Sequence, residues 1–113
     1  MTIARLLRQK PGQTLAFLPR ADPDVLAETL VALANADGGA VVLGVDLSGR
    51  PTGLLAEDAE AALNGAVVQC RPPVVVEWQQ HDVTGGCVVT LNVPRSPELH
   101  ALLDGRVLVR HRT

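Results

Sequence analysis

Apolar and polar positions alternate along this chain with periods that change every ten to fifteen residues. Residues 3–9 (IARLLRQ) repeat with a helical period and stop at Pro11-Gly12. Residues 13–18 alternate weakly, as a strand does, and end at Pro19. Asp22-Pro23 supplies an N-cap side chain followed by proline at the first helical position, with Asp24 near the positive end of the helix dipole. The helix predicted over 23–36 carries Leu26, Leu30, Leu33 and Ala34 on one stripe. Ala40–Val45 has no polar residue before Gly44, the pattern of a central strand covered on both faces.

Beyond it, Ser48-Gly49-Arg50 is turn chemistry and Gly53-Leu54 resumes a short strand. Residues 57–68 form a further helix, acidic in its first turn, with Ala62, Leu63, Ala66 and Val67 inward. Gly65 weakens that helix by about 1 kcal/mol relative to alanine. Arg71-Pro72-Pro73 ends it. A hairpin of 74–83 and 87–93 follows around Thr84-Gly85-Gly86, then a loop over 94–97, and Asp104-Gly105 turns the chain into a last strand, Val107–Arg110. The order α-β-α-β-α-β-β-β predicts an α+β fold: one compact domain over 1–113, a mixed sheet packed against two main helices. At 113 residues the chain suffices for one core and is too short for two.

Composition narrows the chemistry. Apolar residues make up 47% of the chain but aromatics only 2%, Phe17 and Trp78. The core is therefore aliphatic, and nucleic-acid recognition by stacking bases on exposed aromatic faces is nearly excluded. Cys70 and Cys87 form no CxxC; a pairing between them stays open, but without a secretory signal they read as two buried or half-buried thiols. No segment is long and apolar enough to span a membrane, so a cytoplasmic location is expected. A mean hydropathy of +0.20 with so few aromatics suggests self-association, valine and leucine on a sheet face or edge being covered in a homodimer or higher homo-oligomer.

The net charge of −2 excludes a strongly basic nucleic-acid binder, but the charges are segregated. Residues 1–20 hold Arg5, Arg8, Lys10 and Arg20 and no acid; residues 21–70 hold eight acids against Arg50; residues 105–113 hold Arg106, Arg110 and Arg112 and no acid. If the two termini meet, they form a basic patch with His111 beside it. On the predicted last strand Arg106, Arg110 and Arg112 share one face, suited either to phosphate contacts or to an edge whose charges discourage aggregation.

The segment from Ala32 to Gly53, ALANADGGAVVLGVDLSGRPTG, reads as a rigid helix-turn-strand-turn unit that brings Asn35, Asp37 and Asp46 near one another. Asp46 is either a site residue or the cap of its own turn. Asn35 either faces a ligand or ends the helix, satisfying free carbonyls or adopting a left-handed conformation. Gly38-Gly39 follow a helix instead of preceding one, so they are no phosphate-binding loop. His81, His100 and His111 with the two cysteines lack metal-ligand spacing. Ser48 and Ser96 sit in turn-rich sequence without the context of a catalytic triad.

This segment resembles the signature A-x-A-N-x-x-G-G-x-x-x-x-G-V-x-x-x-G of the Schlafen-type AlbA-like domain, here carried by Asn35, Gly38, Gly39, Gly44 and neighbouring residues. The chain's end, VPRSPELHALLDGRVLVRHRT, is similar to that family's closing pattern of Val-Pro, then histidine, then a strand finishing in arginine and threonine. The resemblance covers nearly the whole chain. It implies a mixed α+β fold and a link to nucleic acid, bacterial members being assigned as DNA-binding domains of transcriptional regulators. Some animal members cleave structured RNA with a three-carboxylate metal site, two acids of which come from an E-S-x-x-x-E-F-K motif. In the matching stretch here, PGQTLAFL, Pro11 and Ala16 replace the glutamates and Leu18 the lysine; only the third acid matches, as Asp46. One carboxylate does not hold the cations that stabilise attacking and leaving oxygens. The expectation is a non-enzymatic module with a degenerate acidic site, no metal and no cofactor, touching nucleic acid through backbone phosphates with Arg5, Arg8, Arg106, Arg110 and Arg112. The rival expectation is a scaffold or oligomerisation module that binds no nucleic acid.

Overall fold

The computed structural model describes residues 3–110. Its elements are α1 (Ile3–Leu7), β1 (Leu15–Leu18), α2 (Pro23–Ala34), β2 (Gly39–Leu43), α3 (Ala56–Val67), β3 (Cys70–Arg71), β4 (Glu77–Val83), β5 (Gly86–Val93) and β6 (Ala101–Leu102). The main sheet has the order β1-β2-β5-β4, with β1 parallel to β2 and the other neighbours antiparallel. This is the α+β arrangement that the hydrophobic pattern predicts.

β2 is central, and alternate residues enter different cores. Ala16, Val41, Leu43, Val89, Leu91 and Val93 point to the side covered by α2 and α3, the larger cluster. Leu15, Phe17, Val42 and Val88 point to the other side, beneath Ile3, Leu6 and Leu7 of α1. Phe17 is thus the aromatic anchor of the smaller core.

α2 starts as its sequence dictates. The Asp22 carboxylate accepts from the Asp24 N–H at 2.9 Å and the Val25 N–H at 3.3 Å, and Pro23 occupies the first turn. Gly65 in α3 has a packing reason: a β-carbon there would lie 3.1 Å from the Pro23 side chain, so glycine lets the two helices approach. Both cysteines are free thiols, and both are buried. Burial pushes both thiols above their ordinary range.

Two local expectations are corrected. The hairpin's first strand begins at Glu77 instead of 74, and residues 70–71 pair with Ala101–Leu102 in a separate two-stranded ladder. Val107–Arg110 is not a strand: after the turn over 103–105 the chain runs extended along the end of α2. Among the described residues no helix is long and apolar enough to cross a membrane.

Candidate functional site: the junction of the two basic termini

The last four carbonyls of an α-helix have no partner within the helix, and here remote parts of the chain serve two of them. In α2 the Val31 oxygen accepts from the Asn35 N–H and the Leu33 oxygen from Ala36 and Gly38, all local. The Ala34 oxygen instead accepts from the Ser96 N–H at 3.0 Å and the Ala32 oxygen from the Arg110 N–H at 3.2 Å. The end of α2 therefore organises both the 94–100 loop and the C-terminal segment.

Asn35 completes this junction. Its Nδ2 donates to the carbonyls of His100 (2.8 Å) and Leu108 (2.9 Å), and its Oδ1 accepts from the His100 N–H at 2.7 Å. The residue is right-handed, with φ of −78°, so it neither caps its own helix with its side chain nor supplies a left-handed turn. The helix ends on Gly38, whose φ of +74° performs that turn. His100 is buried and bonded at both ring nitrogens, Nδ1 to the Pro72 carbonyl (2.6 Å) and Nε2 to Ser96 Oγ (2.8 Å). Because a carbonyl only accepts, Nδ1 carries a proton and donates to Pro72, and in the neutral ring the Ser96 hydroxyl donates to Nε2.

Arg110 then joins the termini. Its guanidinium donates to the carbonyls of Gly12 and Leu15, covering the outer edge of β1. This places the basic C-terminal segment against the basic N-terminal arm that carries Arg8 and Lys10, both exposed. Arg5 lies exposed on α1. Arg106 does not share a strand face with Arg110: it ion-pairs with Asp104 at 2.7 Å and reaches Glu28 on α2 at 3.4 Å. Arg112 and His111 lie outside the described residues.

Asp46 sits elsewhere. Asn35 and Asp37 precede β2 and Asp46 follows it, so the strand's length separates residues that the sequence pattern brings together. Asp37 accepts from the Gln13 side chain. One carboxylate oxygen of Asp46 takes the Ser48 hydroxyl (2.6 Å), the Ser48 N–H (2.9 Å) and the Arg50 N–H (3.0 Å), closing the turn before Pro51. The Ser48 hydroxyl, followed by the Arg50 N–H, holds this carboxyl below its ordinary value of 3.8. A carboxyl with a depressed folded value contributes stability that is complete above its unfolded value and disappears as pH falls through the folded one. Thermal melts of Asp46→Asn should therefore lose less stability than wild type on acidification below about pH 4, while a parallel loss would place the carboxylate outside the turn. Among the described residues, no group of three or more His, Cys, Asp or Glu side chains is arranged to hold a metal ion.

A groove of about 600 Å³ opens on the α1 side of the sheet, floored by Glu77, Gln79, Thr90 and Asn92 and walled by Gln9 and Thr14. Sequence reading missed it. Its signal is the alternation of polar residues at 77, 79 and 81 opposite Asn92, Thr90 and Val88, a sheet face left partly polar.

The comparisons agree with this architecture. The N-terminal domain of a RecG-related protein from Nitrosomonas europaea, solved in solution, matches with a TM-score of 0.66 and 20% identity, covering 100% of this chain and 91% of that one. The crystal structure of the DIP2311 protein from Corynebacterium diphtheriae matches with a TM-score of 0.63 and 22% identity over 84% of this chain. There the match spans only 23% of the longer protein. No curated protein matches the sequence. The family described as "Schlafen, AlbA_2" matches residues 9–113. With its motif residues Asn35, Gly38 and Gly39 at the turn that builds the terminal junction and Gly44 at the far end of β2, the chain belongs to the Schlafen, AlbA_2 family.

Proposed function

We propose that this domain is a non-enzymatic, regulatory nucleic-acid-binding module of the cytoplasm that grips backbone phosphates at the junction of its termini. The observation that carries the reading is the seating of Arg110 on Gly12 and Leu15, which joins two acid-free basic segments of a chain whose net charge is negative. Family membership supports the same class of ligand. Arg8 and Lys10 supply exposed charge, Arg110 chiefly the joint, and Arg106, neutralised by Asp104 and Glu28, the least.

A contact role without cleavage is favoured by what replaces the acids. Ala16 is buried in the aliphatic core, where a carboxylate would be costly. Leu15 pairs with Ala40 and Leu18 with Leu43, so Pro11 and Asp46 lie beyond opposite ends of the β1–β2 pair. Asp46 is already committed to three donors of its turn.

Charge reversal of Arg8 and Lys10 tests the reading without disturbing the joint. By fluorescence anisotropy with a labelled DNA duplex, the double variant should bind at least tenfold more weakly. The slope of log affinity against log salt should shrink by about 2. Unchanged affinity and slope would move the interface away from the N-terminal arm.

A further inference from the structure

The two edges of the main sheet are treated differently. The outer edge of β1 is closed by the Gly12–Leu15 bridge and by the Arg110 guanidinium on both carbonyls. The opposite edge, β4, is seven residues long and pairs with β5 without a bulge. It carries no proline and no lysine, the usual devices that keep an edge from pairing. Its outward groups can be identified. The Cys87 N–H donates to the Leu54 carbonyl at 2.8 Å, away from β4, so Asp82 and Cys87 are a non-bonded pair of the ladder. Bonded and non-bonded pairs alternate, so the peptide groups of Trp78, Gln80 and Asp82 point along the open edge.

We propose that β4 pairs with β4 of a second copy of this chain, antiparallel about a two-fold axis through Gln79. Such an axis stands perpendicular to the sheet and keeps each side chain on its own face, so only registers that oppose residues of like parity are open. With Gln79 on the axis, Trp78 of one copy and Gln80 of the other exchange backbone hydrogen bonds. Glu77 then faces His81 of the second copy, a carboxylate against an imidazole, and Asp82 faces Val76, so no two carboxylates meet. An axis through Gln80 instead sets Trp78 against Asp82 and leaves Glu77 against Val83, with no complementary pair. The register through Gln79 thus sets a carboxylate against an imidazole on both sides of the axis, a self-complementarity that favours a second copy over an unrelated strand. Trp78, 52% exposed beside α3, lies at the seam. The union also runs the polar grooves of the two copies into one surface, whether or not nucleic acid occupies it.

Sedimentation equilibrium of the full chain, with disulfide trapping, tests this. The wild type should dimerise in the micromolar range, with emission of its only tryptophan shifting to the blue over the same concentrations. Gln80→Pro removes an outward N–H of an edge strand and an exposed side-chain bond to Asp82, so it should stay folded by circular dichroism and become monomeric. Under mild oxidation Gln79→Cys should form a covalent dimer through the axis, and Gln80→Cys should not. Cys70 and Cys87, both buried, do not compete. A wild type that stays monomeric would overturn the proposal, as would a folded Gln80→Pro that still dimerises. Trapping through Gln80→Cys but not Gln79→Cys would overturn the register; should Gln80→Pro fail to fold, the trapping pair decides alone.

Discussion

Gly39→Ala is expected to destabilise the domain by about 3 kcal/mol or more, a large part of the roughly 5–15 kcal/mol that holds a domain of this size together. Gly39 opens β2 at a φ of +147°, and a β-carbon there would overlap the backbone of Thr14. That neighbour cannot swing aside, because the Thr14 carbonyl accepts from the Ala40 N–H at 2.9 Å, the bond that sets β1 alongside β2. The variant must break this bond or shift the parallel pair on which Leu15 and Phe17 enter the smaller core. Gly85→Ala is the matched control, since Gly85 is also left-handed (φ +87°) but its β-carbon meets nothing within 4 Å. It should cost only about 1–2 kcal/mol of backbone strain. Urea melts of the two variants measure the difference; equal losses would mean that the close approach to Thr14 is not what requires glycine.

Asn35→Ala should cost about 3 kcal/mol, because one small side chain satisfies three backbone groups of two distant segments. Truncation strips the His100 N–H, the His100 carbonyl and the Leu108 carbonyl of their partner at a half-buried position. Asn35→Asp is the more pointed variant: it keeps the acceptor toward His100 but sets an anionic oxygen against two carbonyls, and should be at least as damaging. Hydrogen exchange should locate the effect. Protection of the Arg110 and Ser96 N–H groups, both bonded to the end of α2, should drop while the β2–β5 ladder keeps its own. Loss spread evenly over the sheet would show that Asn35 supports the whole core instead of the terminal junction.

What was legible in the sequence follows from how local its causes are. Asp22-Pro23 carries its helix start within four residues, and the polar-free run into β2 announces a strand covered on both faces. Gly38 and Gly39 mark backbone that other residues rarely adopt. The last segment misled for a physical reason. Val107-Leu108-Val109-Arg110 alternates like a strand, and its side chains do alternate, Leu108 and Arg110 inward and the valines outward. Its backbone partners, however, are the Asn35 side chain and a helix-terminal carbonyl, which no local pattern reveals. Asn35 itself stood out as a motif residue, but its task depends on a loop sixty-five positions away. Arg110 likewise reads as surface charge until the fold brings Gly12 beneath it.

The central claim, that joined basic termini make this domain a phosphate-contacting module that does not cut, is tested most directly by titrating a labelled DNA duplex with the full chain at increasing salt in the presence of magnesium, then examining the recovered nucleic acid. The account predicts binding at low salt, a steep linear loss of log affinity with log salt, and an intact strand. Affinity that ignores salt, no binding at any salt, or a cleaved product would each contradict it.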